Sequence, residues 1–192
     1  MKYYLYTNLE QYDEAAIEQC LKQMPPSQVE RINQVHHLQG KREKVIAWQL
    51  LINALHELGI ADTPQIDYNP HGKPFLKNHP EVHYNISHCR TAVALAIDTE
   101  RPVGIDVESR RKISDSLIRK VCNLEEQQRV NNSEDSTLEF IRIWTRKEAY
   151  YKCIGTGIQD DLHETEKLIL ERGLKIETHP LPDGEGFVSI CH

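Results

Sequence analysis

Asp106 and Glu108 stand two apart in Val103-Gly104-Ile105-Asp106-Val107-Glu108, a hexapeptide that reads as a strand. Side chains alternate along a strand, so both carboxylates face one way and Ile105 and Val107 the other. Two carboxylates this close repel unless a cation lies between them; the competing reading is a solvated acidic face. A second group lies at helical spacing. Trp144, Lys147, Glu148, Tyr151 and Lys152 fall at i, i+3, i+4, i+7 and i+8 and share a face. Its plain reading is a surface helix with an aromatic foot and a Glu148–Lys152 pair worth a few tenths of a kcal/mol. A half-buried face that mixes bulky aromatics with three charges instead asks for a ligand, a metal or a partner. Asp106, Glu108 and Glu148 together offer three carboxylates. Such donors suit Mg²⁺, with Mn²⁺ as a substitute, whereas zinc would want His or Cys at ligand spacing beside them.

A third group is His71-Gly72-Lys73-Pro74 followed by Tyr84-Asn85-Ile86-Ser87-His88. Gly72 permits a tight turn, and Lys73 is a compact cation able to meet a phosphate. Ser87 and His88 are adjacent on a strand and face opposite ways, which argues against a Ser–His nucleophilic dyad. Either can still bond a phosphate or an adenine; for His88 the alternative is a satisfied structural histidine. His36 and His37 read as surface residues.

The elements that must position these groups follow from periodicity and breakers. Residues 2–9 read as a strand, and 13–23 and 27–35 as helices separated by Pro25-Pro26. From Lys41 to Leu58, Val45, Ala47, Trp48, Leu51, Ile52, Leu55 and Leu58 recur at helical spacing, with Gly59 placed to cap the end. His83–His88, Thr91–Asp98 and Val103–Glu108 read as three neighbouring antiparallel strands. Helices are expected near 114–121, 124–131 and 136–154, and strands at Leu174–His179 and Gly186–Cys191. The predicted fold class is α+β: two similar lobes, residues 1–99 and 100–192, each with helices packed on a small antiparallel sheet. No internal repeat is visible in the sequence itself.

Composition excludes several classes. The 192 residues are 39% hydrophobic and 27% charged, an ordinary folded composition. The formal net charge of -6 argues against nucleic-acid binding. No apolar run approaches the roughly 20 residues of a membrane helix, and Met1-Lys2-Tyr3-Tyr4-Leu5-Tyr6 lacks the apolar core of a signal peptide. The five cysteines, an odd number without a C-x-x-C pair, read as reduced thiols of a cytoplasmic protein.

Taken in order, Gly72-Lys73-Pro74, Asn85-Ile86-Ser87-His88, Gly104-Ile105-Asp106-Val107-Glu108 and Trp144 through Lys152 resemble the Sfp-type 4'-phosphopantetheinyl transferases. Gly155-Thr156-Gly157 extends the likeness, while the two ends of the chain match loosely. The resemblance implies a monomeric pseudo-dimer with coenzyme A in the cleft between its lobes. It implies Asp106, Glu108 and Glu148 as ligands of Mg²⁺. Lys147 and Lys152 are then expected near the phosphates, and Lys73, Ser87 and His88 at the nucleotide end. Arg31, Arg42 and Lys44 are candidates for the basic residues the family carries upstream. In the implied reaction a carrier serine attacks the β-phosphate, with Glu148 or a water it orients as base and Lys152 stabilising charge. The implied partner is an apo acyl or peptidyl carrier protein. Arg110, Arg111, Lys112, Arg119 and Lys120 form a basic segment that is either a docking face or a solvated helix. Two other readings use the same parts: a Mg²⁺-dependent phosphohydrolase of coenzyme A or nucleotides, and a non-catalytic module that binds carriers or coenzyme A.

Overall fold

One strand, β5 (Ala92–Asp98), is buried along its whole length, and its two faces organise the molecule. Val93, Leu95 and Ile97 face the 20-residue helix α3 (Leu38–Glu57), where they meet Ile46, Leu51, Ala54 and Leu55. Ala92, Ala94 and Ala96 face the other way, onto Val103, Ile105, Val107, Val188 and Ile190. Small side chains on one sheet leave room for branched ones on the next, so the two pack closely. This computed structural model describes residues 1–158 and 162–192.

The order along the chain confirms the α+β class. β1 (Lys2–Tyr6) leads into α1 (Glu14–Leu21), α2 (Pro26–Asn33) and α3. A small hairpin, β2 (Ile66–Tyr68) and β3 (Pro74–Leu76), precedes β4 (His83–Cys89) and β5. Then come β6 (Gly104–Ser109), α4 (Asp115–Val121), α5 (Leu124–Asn132), α6 (Ser136–Ile154), α7 (Thr165–Glu171), β7 (Ile176–Pro180) and β8 (Gly186–Cys191). The first antiparallel sheet has the order β1-β5-β4 and the second β6-β8-β7. The predicted helices and strands are present with small shifts at their ends. The β2–β3 hairpin and α7 are additions, both too short for periodicity to reveal.

One expectation needs correcting. β4 and β5 are antiparallel neighbours, but β6 does not continue their sheet; it opens the second one. β4 and β6 are joined instead by side chains. Asn85 Oδ1 accepts from the Ile105 amide at 2.9 Å, and Ser87 Oγ from the Val107 amide at 3.3 Å. Asn85 and Ser87 are two apart, as are the amides they receive, so the strand period is used on both sides.

α6 lies along β6 and runs opposite to it. Four strand steps of about 3.3 Å and nine helix steps of about 1.5 Å both span about 13 Å, so Gly104, Asp106 and Glu108 register with the helix from Cys153 back to Trp144. Contact is closest at Gly104, where an added Cβ would stand 2.1 Å from the Ala149 carbonyl and 2.3 Å from the Cys153 nitrogen. Both obstacles are backbone and cannot yield by a rotamer change. The opposite side of α6 buries Phe140, Ile141 and Ile143 with Val121, Val130 and Ile169. Gly104→Ala should therefore destabilise the protein by at least the roughly 1–3 kcal/mol of an overpacked core, read as a lower urea midpoint.

Candidate functional site

The Ser87 hydroxyl is the junction of the site. It donates to Asp106 Oδ1 at 2.8 Å and accepts from Lys152 Nζ at 3.0 Å and from the Val107 amide. A hydroxyl has one proton and two lone pairs, so its bonding capacity is filled. Lys152 also pairs with Asp106 Oδ1 at 2.5 Å. The other carboxylate oxygen, Asp106 Oδ2, is buried and without a hydrogen-bond partner among the described residues. Such an atom pays a desolvation penalty that a ligand would relieve.

Glu108 and Glu148 stand within electrostatic reach of Asp106. Burial first, and the Asp106 charge second, raise both of their pKa values above the ordinary range. Lys152 acts against this at both carboxyls, and Arg111, 3.7 Å from Glu108, does so at that residue. Among the described residues no His, Cys, Asp and Glu side chains gather into a ready-made metal cage. The carboxylates share a field rather than a closed coordination shell.

Glu148, Tyr151 and Lys152 line a hollow of about 240 Å³ together with Asn85, Ile86, Pro74 and the loop after α6. Pro74 and Ile86 also line a second hollow of about 240 Å³, which contains Arg31, Lys44 and His88. The two hollows adjoin through these shared walls: the first presents Glu148 and Lys152, the second Arg31, Lys44 and His88 together with Glu43. Arg31 stacks on Tyr68, 5.1 Å from the ring centroid, and donates to its hydroxyl. The Nδ1 of His88 meets Glu43 at 3.0 Å. Burial lowers the His88 pKa, and the Glu43 charge opposes that. A larger cavity of about 880 Å³ lies between the end of α1 and α3, lined by Met24, Trp48 and Ile52 among others, and holds none of the candidate site residues.

The structure does not bring every candidate to these hollows. Lys147 is fully buried, and its ammonium bonds the carbonyls of Val121 and Leu162, both at 2.8 Å, and Glu126 at 2.6 Å. All three of its donors are occupied on the far side of α6. One residue step on a helix turns about 100°, which takes Lys147 away from Glu148. Lys73 contributes its stem to the hollow, but Nζ donates to the carbonyls of Val103 at 3.0 Å and Cys153 at 2.8 Å. It thereby satisfies an end carbonyl of α6, where a cation is also favoured by the helix dipole. Arg42 donates to the Tyr12 carbonyl at 2.7 Å and ties α3 to the loop before α1. Arg110 is held by Asp135 and Glu185, so its charge is neutralised within the chain. Arg111, Lys112, Arg119 and Lys120 are exposed.

Two consequences can be measured. Removing the Lys147 ammonium leaves the buried Glu126 carboxylate without a counter-ion, so Lys147→Met should cost about 3–5 kcal/mol in chemical unfolding, and adding Glu126→Gln should return part of it. The raised Glu148 pKa means that the folded state holds a proton the unfolded chain has already lost. Stability from this source is therefore fully present at pH below the unfolded value near 4.5 and falls as pH rises through the folded one. Without divalent cations, Glu148→Gln should melt higher than the parent at pH 7, and the difference should close toward pH 4.

Comparison with known proteins gives a family likeness for the segment that carries these residues. The model of the 4'-phosphopantetheinyl transferase superfamily matches residues 102–189, which include β6 and α6. The 4'-phosphopantetheinyl transferase psf-1 of Bacillus pumilus is 28% identical over 148 residues, covering 73% of this chain and 63% of that protein. The Sfp enzyme of Bacillus subtilis strain 168 is 24% identical, covering 73% and 64%. The HetI transferase of Nostoc sp. is 33% identical over 124 residues, covering 60% and 52%. The chain thus spans less than two thirds of the length of these relatives. The segment that carries Asp106, Glu108, Glu148 and Lys152 is thus similar to the 4'-phosphopantetheinyl transferase superfamily, and the chain as a whole to its Sfp-type members.

Proposed function

We propose that this chain transfers the 4'-phosphopantetheine arm of coenzyme A to a serine of an apo acyl or peptidyl carrier protein. The observation that carries the proposal is the buried, unpartnered Asp106 Oδ2, beside Lys152, whose side chain lines a hollow adjoining the one that holds Arg31, Lys44 and His88. The superfamily match over residues 102–189 and the likeness to the named relatives support the same reaction. The division near residue 100 fits the break between β5 and β6, where one sheet ends and the other begins. The five free cysteines fit a reducing, cytoplasmic setting.

The residues present fit a hard divalent cation, Mg²⁺ or Mn²⁺. Mg²⁺ is commonly held by one or two carboxylates plus water and substrate phosphates, so a closed protein cage is not required. Asp106, through its unpartnered oxygen, with Glu108 and Glu148, would hold it, and it would supply neutralisation of the pyrophosphate charge. The chain's own contribution is positioning and proton handling. Ser87 and Lys152 keep Oδ1 of Asp106 fixed, so the second oxygen has one direction in which to act. Lys152 is the cation beside these carboxylates that can meet phosphate oxygens. Glu148, whose pKa burial and Asp106 push up, is suited to accept the serine proton directly or through a water. The new bond joins the serine oxygen to the β-phosphorus; the bond broken releases 3',5'-ADP, whose nucleotide end would lie with Arg31, Lys44 and His88.

Incubation with Mg²⁺, coenzyme A and a panel of apo carriers, read by intact mass, should show one phosphopantetheine added to at least one carrier. Asp106→Asn should remove the gain. Nucleotide release without any carrier would favour the phosphohydrolase, and binding without turnover the non-catalytic module. For docking, Arg111, which lies 3.7 Å from Glu108, and Lys112 are the exposed cations that follow β6 in the chain. Reversing both to Glu should raise KM for an acidic carrier and leave KM for coenzyme A unchanged; unaltered carrier kinetics would remove this surface from consideration.

A further inference from the structure

Glu43 places a negative charge where the proposed chemistry asks for positive ones. It sits on α3 and lines the same hollow as Arg31, Lys44 and His88, with a side chain only 13% exposed. A free carboxylate there would repel a phosphate. Its bonds show how that charge is committed. One oxygen meets His88 Nδ1 at 3.0 Å, and the other accepts from Gln39 Nε2 at 2.9 Å. The same Gln39 amide donates to the Arg90 carbonyl at 3.0 Å, in the turn that joins β4 to β5. Glu43 is therefore held on both oxygens, between its own helix and the strand pair that carries His88.

The effect falls on the imidazole. The His88 side chain is 51% exposed, and a ring on the surface samples several rotamers unless a partner holds it. An imidazole whose Nδ1–H is given to a carboxylate is fixed in orientation and tautomer, with Nε2 left to meet a ligand. No described residue bonds Nε2 of His88.

We infer that Glu43 is a positioning residue: by holding His88 Nδ1 it aims Nε2 at a phosphate monoester seated with Arg31 and Lys44, and so sets the preference for a phosphorylated over an unphosphorylated ribose. The inference rests on the proposed reading of this hollow as the nucleotide end of coenzyme A. Glu43 does not touch the ligand, so its contribution passes through His88.

Calorimetric binding of adenosine 3',5'-bisphosphate and of adenosine 5'-monophosphate tests this without turnover. The parent protein should prefer the bisphosphate. Glu43→Ala should reduce that preference by about tenfold, the scale of one hydrogen bond to a charged group. Glu43→Gln keeps an acceptor for Nδ1–H and should stay within about threefold of the parent. In the His88→Ala background, Glu43→Ala should reduce the preference no further, because the two act as a unit. Equal weakening of both nucleotides, additive losses in the double variant, or a Gln variant as impaired as the Ala one would overturn the inference. If the parent shows no preference and His88→Ala changes nothing, the reading of the hollow itself fails and the inference falls with it. If His88→Ala removes the preference while Glu43→Ala retains it, only the role of Glu43 is lost.

Discussion

A single hydroxyl connects the parts on which the site depends. Ser87 Oγ takes the Val107 amide, takes the Lys152 ammonium and gives its proton to Asp106, so a strand of the first sheet, a strand of the second and α6 meet at one atom. Two antiparallel sheets that share no backbone ladder would otherwise leave edge amides of β6 unpaired at their junction. Asn85 and Ser87 supply the missing acceptors, and the same bonds lock the acidic strand against the helix. The interaction that makes the junction stable is thus the interaction that orients the chemistry.

Holding acidic groups this way carries an electrostatic burden. Glu108 and Glu148 are partly buried beside Asp106, and their pKa values rise in consequence. The protein relieves some of this with Lys152 and leaves the remainder, including an unpartnered Asp106 oxygen. Elsewhere it follows the opposite policy: Lys147 and Glu126 are both buried, yet each is bonded to backbone as well as to the other, and Glu126 also caps α5. A buried charge that is completely satisfied belongs to the scaffold, and one left incomplete marks the place where a ligand is expected.

Much of this was legible in the residues. The period-2 pattern of β6 separated Asp106 and Glu108 from Ile105 and Val107, and the core takes up the latter two as the alternation requires. The spacing of Glu148 and Lys152 put them on one helix face, and both line the cleft. These features survive because they depend only on backbone geometry within one element. Lys73 and Lys147 were misjudged for a common reason. Sequence shows that a lysine is present near a turn or on a helix, but its four-carbon stem can reach either side of the backbone it leaves. In both cases carbonyls of another element, Cys153 and Val103 for Lys73, Val121 and Leu162 for Lys147, supply a better partner than the cleft.

By itself, then, the sequence determined the longer elements, the alternation that turns two carboxylates to one side, and the set of residue types able to meet a phosphate or a hard cation. Tertiary structure alone decided that β6 leaves the first sheet, that Asn85 and Ser87 bridge the gap, and that Glu43 meets Nδ1 of His88. The physical reason lies in range: periodicity is a local property of a few residues, whereas these contacts join positions 19 to 65 apart, and which of them form depends on how the two sheets and two long helices pack.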